Sequence, residues 1–462
     1  MPVPVNCRRD ALLELSGRID FNKEKSMRKT SVATLVSALL LATNASALDL
    51  LQAYRDAQAY DSQFSSARLQ RDATRERVVQ GRAGLLPQVG LTAAVNRIEG
   101  DARLGQVVSP IGYTADSYQL QLKQPLYNLG SLTAYDQSKL QVTAGDTQFE
   151  QARVDLTLRV AQAYFDVLAA LDTIGFIQAQ KTAISEQLAS AKRNFQVGTA
   201  TITDTHEAQA RFDLALAQEI AAQNDLAVKR HALAQIIGKD GGELSGLRAG
   251  VKIVAPEPAA MDSWVKQAES GNLGVVTQGI STEIAKLDVQ RARAGHHPTL
   301  DAIASHGRQK SFFTGPLTTT TTAIGVQLTV PIFSGFATSS QVTQALALED
   351  KARADLDTAR RNAAQGARSA FLGVQSGLSQ VRALEAAEAS SKLALDANKL
   401  GYGVGVRINI DVLNAQQQLY STRRDLAKAR YDTLLAGLKL KAAAGTLAEA
   451  DLAELNALLD AR

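Results

Sequence analysis

The chain has 462 residues, a net charge of +4 and 45% apolar residues, enough for one large or two medium domains. Charges of both signs are interspersed and aromatics make up only 5%, so there is no nucleic-acid-binding footprint. The sequence holds a single cysteine, Cys7.

Residues 1–47 read as a leader. Met1–Ser26 is mixed in charge. Met27-Arg28-Lys29, the apolar run Ser31–Ala42 and Ala45-Ser46-Ala47 then form the basic region, short hydrophobic region and A-x-A site of a secretory signal. We expect translation to start at Met27, with Met1–Ser26 an upstream extension, and cleavage after Ala47. The alternative is a membrane anchor, for which the apolar run is short. Cys7 precedes the signal, so the mature chain is expected to carry no disulfide, thiolate metal site or lipidated N-terminal cysteine. No later segment shows the roughly 18 consecutive apolar residues of a spanning helix. Any contact with a membrane then falls to strands.

The prolines divide the rest of the chain. Pro87, Pro125, Pro298 and Pro331 border short alternating segments, Pro110 and Pro316 lie in polar stretches read as loops, and Pro256 and Pro258 sit near the middle. Proline is excluded from helix interiors, so the proline-free stretches 126–255 and 332–462 are where long helices can run.

The first half, 48–258, is read as a helix over Leu48–Leu85 and a strand from Pro87 to Asn96 with Val89, Leu91, Ala93 and Val95 on one face. A loop over Arg97–Asp116 leads to a strand over Ser117–Gln124 with Tyr118, Leu120 and Leu122 on one face. A helix from Asn128 to about Phe195, about 100 Å long at ~1.5 Å per residue, then turns into a returning helix from Asp204 to about Ile237. Gly238–Pro258 is a linker.

The second half, 259–462, repeats the plan. It has a helix over Met261–Gly295, a strand from His296-His297-Pro298 and a loop over Gly307–Thr321. A strand over Thr322–Val330 comes next, with Ile324, Val326 and Leu328 on one face, then helices over Ala337–Lys399 and Ile410–Ala444. The two turns are related at an offset of 207 residues: Gly198 matches Gly405, Thr201 matches Ile408, Asp204 matches Asp411 and Gln209 matches Gln416. The chain thus reads as a tandem duplication.

Strands of about 8–11 residues with one apolar face suit a bilayer-spanning β-wall with its polar face toward water. Four strands cannot close, and open edges in lipid leave unpaired backbone groups. Two chains reach the practical minimum of about eight strands, and three give twelve. The competing fold is a soluble α+β coiled-coil protein, acting as a periplasmic scaffold or adaptor without a barrel.

The runs GYGVGVRINIDVLNAQQQLYSTRRDLAKARYDTLL and FQVGTATITDTHEAQA, the pair QPLYNLGS and VPIFSGFA, and the terminal AAAGTLAEADLAELNALL resemble the TolC family of outer-membrane efflux and secretion ducts. The resemblance spans Leu48–Leu459 in colinear order. It implies a mainly α chain with a membrane β-barrel, in which four strands per chain join a homotrimeric twelve-stranded barrel continued by a long periplasmic α-barrel. An equatorial belt would fall at Gly238–Ser270 and after Ala444. The implied partners are a periplasmic adaptor (membrane fusion) protein, an inner-membrane transporter and outer-membrane lipid, with no cofactor.

The resemblance also places functional residues. Tyr402 and Arg407 match the inner-helix members of a network that shuts the periplasmic entrance, with Thr203 and Asp204 as acceptors on the neighbouring hairpin. Asp204 with Glu207 also reads as a capping box. Asp411 matches a constriction carboxylate that three copies would turn into a cation-binding ring, or it serves the helix dipole. Asn414 stands where the family pattern has a second acid, which predicts weaker cation block. His296-His297 lacks ligand spacing, Trp264 reads as packing and Thr318–Thr322 as a solvated outer loop. No nucleotide, hydrolase or metalloprotease fingerprint is present, so we expect a passive duct and no enzyme.

Overall fold

The structure is a computed structural model that describes residues 47–460 except 249 and 313–315. Residues 1–46 of the leader, with the expected start at Met27, lie outside the described residues.

Helix α1 (Leu50–Tyr60) is followed immediately by α2 (Ser62–Ala83), and then by β1 (Gln88–Leu104) and β2 (Val107–Tyr127). Helix α3 (Leu129–Gln196) runs 68 residues, about 100 Å at ~1.5 Å each, and α4 (Ile202–Ile237) returns along it. The second half has α5 (Met261–Gly271), α6 (Leu273–Ala294), β3 (Thr299–Phe312), β4 (Pro316–Thr329), α7 (Ala337–Gly403) and α8 (Asn409–Ala444). A short α9 (Glu449–Asn456) ends the order. The fold is mainly helical, with α2 and α4 lying against α3, and α6 and α8 against α7.

Two expected single helices are each broken in two. At Asp61 the backbone is extended, and the carboxylate accepts from the Phe64 N–H at 2.7 Å while Arg159 binds both its oxygens at 2.9 Å. At Asn272 the side chain accepts from Gly274 N–H at 3.0 Å and donates to the Ala443 carbonyl at 2.9 Å. Short Asx side chains satisfy local backbone groups better outside a helix than within one, and each break here is also held by a long-range partner.

The four strands form one antiparallel sheet in the order β1-β2-β3-β4, leaving β1 and β4 as edges. They are longer than expected. Arg97–Asp116, read as a loop, is a hairpin that pairs continuously to Leu104–Val107, with Pro110 opposite Asp101. Pro316 likewise begins β4 and is not in a loop. The apolar face ends there because Arg97, Glu99 and Asp101 take the side that Leu91 occupies lower down and the threonine run makes both sides of β4 polar, although pairing continues. Within the alternating part the register aligns the apolar sides, with Leu91 opposite Leu120, Leu122 opposite Ala304 and Ala304 opposite Ile324. Directly opposed residues share a face. That face is bare in the single chain, with Leu91 71% and Ile324 85% exposed. The opposite face carries Gln119, Gln121 and Lys123, whose ammonium pairs with the buried Asp301 at 2.9 Å.

The main core lies where the helices meet at mid-height. Leu50, Tyr54, Leu156, Val160, Tyr164, Phe165, Tyr431 and Leu434 pack together, with Phe165 stacked on Tyr431 at 5.7 Å. One stretch of α3 is apolar and long enough to cross a membrane by composition alone; Leu156, Val160 and Val167 of this helix are buried inside the protein. The segments around 244–248 and 458–460 bridge to each other and to Leu48, closing a belt around this core. Trp264 is buried in α5 and donates its indole N–H to the Pro258 carbonyl at 2.7 Å.

Candidate functional site at the helical tips

Both hairpin tips are built alike at the backbone. Gly198 and Gly405 each have φ of +77°, the left-handed region where a side chain is strained. The Thr199 N–H reaches the Asn194 carbonyl at 2.8 Å, and the Val406 N–H reaches that of Gly401 at 2.8 Å. These are the six-to-one bonds of a Schellman ending. Glycine at each turn lets two helices of more than 30 residues reverse within five residues.

Their capping differs. In the first tip Thr201 is the N-cap of α4 and Asp204 its third residue, and the pair exchange bonds: Thr201 N–H to Asp204 Oδ2 at 3.0 Å and Asp204 N–H to Thr201 Oγ1 at 3.3 Å. The box therefore runs Thr201–Asp204, three residues earlier than the Asp204–Glu207 box expected from sequence. In the second tip the matching position is Ile408, 62% exposed, and no side chain caps α8. A missing cap costs about 1 kcal/mol, so the second tip is the softer of the two.

The residues of the expected network have separate partners within one chain. The Tyr402 hydroxyl accepts from Asn194 Nδ2 at 3.2 Å. Arg407 lies 3.7 Å from Asp411, i to i+4, and its side chain packs over Gly401, where an added methyl would stand 2.7 Å from Arg407 Cγ. Asp204 serves its own helix, and Thr203 is exposed. Among the described residues, no bond within the chain joins Arg407 or Tyr402 to Thr203 or Asp204. Asp411 is half-buried in the first turn of α8, and Asn414 is exposed one turn on. Asn414 Oδ1 accepts from Arg211 Nη2 at 3.0 Å, and Arg211 Nη1 donates to Gln417 at 2.5 Å. A guanidinium from α4 thus stands beside the position where the family pattern has a second acid.

The residue that joins the two tips carries almost no signal in the sequence. Asn409, 1% exposed, accepts from Gln187 Nε2 of α3 at 2.5 Å and donates to the Asp204 carbonyl of α4 at 3.1 Å. One amide therefore ties α8 to both arms of the other hairpin. The one hint is a lone amide between Ile408 and Ile410, where an apolar residue would suit a helix–helix contact. Gln416, also buried, leaves its Oε1 without a partner among the described residues. His296 and His297 are exposed, and no group of three or more potential metal ligands occurs among the described residues.

The chain is similar to known proteins over most of its length. The family model described as outer membrane efflux protein matches residues 53–239 and 264–446, one segment in each half. The chain is 34% identical to the outer membrane protein TolC of Vibrio cholerae, over 93% of this chain and 98% of that one. It is 34% identical to the alkaline protease secretion protein AprF of Pseudomonas aeruginosa, over 90% and 88%. Among solved structures, the outer-membrane channel CmeC of Campylobacter jejuni superposes with a TM-score of 0.74 at 17% identity, covering 89% of this chain and 90% of that one. The outer membrane protein VceC of Vibrio cholerae superposes with a TM-score of 0.72 at 18% identity, covering 86% and 96%.

Proposed function

The chain belongs to the outer membrane efflux protein family and is an outer-membrane channel protein reaching into the periplasm; from that premise we propose that three copies form one exit duct for a tripartite efflux or type I secretion system, closed at rest by its helical tips. The observation that carries this reading is the sheet. It has four strands, two unpaired edges and a bare apolar face. In a bilayer each unpaired backbone group costs several kcal/mol, so the edges need sister strands. Three chains give twelve strands. The polar face with Gln119, Gln121, Lys123 and Asp301 would then line water.

The duct supplies no chemistry or energy. An inner-membrane transporter would drive transport through a periplasmic adaptor, with the adaptor engaging the helical hairpins. The gate would consist of two sets of contacts. Within a protomer, Asn409, Gln187 and Asn194–Tyr402 hold the hairpins together. Between protomers, Arg407 would reach Thr203 and Asp204 of the neighbour, where charge-assisted bonds of roughly 1.5–3 kcal/mol are available. The uncapped second tip would be the one that swings. Asp411 would ring the constriction, with Asn414 and Arg211 weakening its pull on cations.

The test is planar-bilayer conductance of the purified protein, wild type against Tyr402→Phe combined with Arg407→Ser. The double variant is expected to conduct several-fold more. Equal conductance from equally well-folded channels would reject the gate.

A further inference from the structure

The apolar face of the sheet ends in a group of cations and hydroxyls that the duct function does not use. The register puts His306, Arg308 and Lys310 of β3 on the same face as Leu120 and Leu122. The alternate threonines of the Thr318–Thr322 run lie beside them: Thr322 opposite His306, Thr320 opposite Arg308 and Thr318 opposite Lys310. The run is therefore a strand, not the loop expected from sequence, and three of its five residues face outward with the apolar residues.

Depth can be counted along the strand. From Leu328, at the helical end of the apolar face, to Thr320 is eight residues, about 27 Å along a strand and about 20 Å along the membrane normal at the usual tilt. Thr318 and Lys310 lie about 5 Å farther out. A barrel's apolar band is about 25 Å tall. The helices leave from the opposite end of the sheet and are periplasmic, so Arg308 and Lys310 stand at the outer-leaflet boundary.

The charges there are not balanced. Lys310 pairs with Asp116 at 3.0 Å, and farther out Arg97 pairs with Glu99 at 2.9 Å. His306 Nδ1 contacts the Thr322 hydroxyl at 2.8 Å. Arg308 has no ion pair or hydrogen bond among the described residues, and its Nε is buried without an acceptor. A desolvated guanidinium N–H is costly unless an acceptor arrives. On a lipid-facing wall the available acceptors are lipid headgroups.

We propose that Arg308, Lys310 and the outward hydroxyls of Thr318 and Thr320 bind the phosphorylated glycolipid of the outer leaflet. A phosphate fits the planar guanidinium fork of Arg308, with the Lys310 ammonium as a second cation. The threonine hydroxyls can donate to or accept from sugar hydroxyls beside that phosphate. The proposal rests on the reading of the sheet as a bilayer-facing barrel wall.

Native mass spectrometry of the full-length mature protein in detergent tests it, with bisphosphorylated lipid A, its dephosphorylated form and phosphatidylglycerol as the three probes. Wild type is expected to retain bisphosphorylated lipid A about tenfold better than either other lipid, and Arg308→Gln to lose about tenfold, the worth of one charge-assisted contact. Equal retention of the three lipids by wild type, which needs no variant, would overturn the proposal; so would full retention by Arg308→Gln. Bilayer conductance of the same samples separates the two levels. Loss of lipid selectivity with conductance intact removes only this proposal, whereas wild type that never inserts removes the barrel reading beneath it.

Discussion

Replacing Asn409 with alanine tests how the two hairpins are held within one protomer. The substitution removes two hydrogen bonds, one from Gln187 and one to the Asp204 carbonyl, from a side chain that is 1% exposed. Gln187 is half-buried and can regain water, so the loss stays near the net value of about 1 kcal/mol for its bond and somewhat more for the buried carbonyl. The sum is about 2–3 kcal/mol per protomer, a shift of roughly 30- to 150-fold in the closed-to-loosened ratio of a tip. Gln187→Ala removes only one of the two bonds and should show about half the free-energy effect. The assay is single-channel conductance in planar bilayers, with helicity and oligomer mass measured on the same preparations. Asn409→Ala should raise conductance or open time, with Gln187→Ala intermediate. If Asn409→Ala conducts like wild type while the protein is fully folded, the amide does not restrain the gate and the intraprotomer part of the mechanism is wrong.

Other consequences can be measured directly. Asp411→Asn should abolish block by trivalent cations, and Asn414→Asp should strengthen it by less than a full second charge because Arg211 stands 3.0 Å away; block titrations in single-channel recordings decide both. Gly401→Ala should mimic part of the Arg407→Ser phenotype, since the new methyl would displace the Arg407 side chain, and conductance again reads it. The Arg159 guanidinium holds the Asp61 carboxyl below its usual value of 3.8. A lowered folded pKa gives stability that is present above the unfolded value and lost as pH falls through the folded one. Asp61→Asn keeps a helix cap but loses the ion pair, at about 2 kcal/mol for a pair that is buried on one side only. The melting-temperature gap between wild type and Asp61→Asn should be full at pH 7 and close as the pH drops below 3.8. A gap that persists in acid would show that the pair is not its source. Burial pushes the Asp172 carboxyl up, against the Tyr431 hydroxyl that donates to it at 2.7 Å. A raised folded pKa makes the charged form a cost at neutral pH, so Asp172→Asn should leave thermal stability at pH 7 equal or higher; a clear loss would contradict this.

Features are legible in the sequence where a periodic signal has a physical cause. The apolar faces of the strands are readable because one face of the sheet is bare, which forces alternation in Val89–Val95, Tyr118–Leu122 and Ile324–Leu328. That signal stops where the strands leave the apolar band. Arg97, Glu99 and Asp101 extend β1 with charged residues on the face that carries Leu91 lower down, and the threonine run makes both faces of β4 polar. The tips are readable because Gly198 and Gly405 are each needed for a left-handed turn. The helix breaks at Asp61 and Asn272 are not, because each rests on one capping side chain and one partner far away in sequence. Asn409 and Arg211 are hidden for the same reason. Their partners come from the other hairpin, and apart from the lone amide between Ile408 and Ile410 little along α8 or α4 announces them.

The central claim is that a four-stranded sheet with two open edges is completed by sister chains in the outer membrane. The mass of the protein extracted from outer membranes in mild detergent, by light scattering before and after heating, tests it most directly. The account predicts three chains per particle, dissociating on heating. A monomer that leaves the membrane fraction without detergent would contradict it.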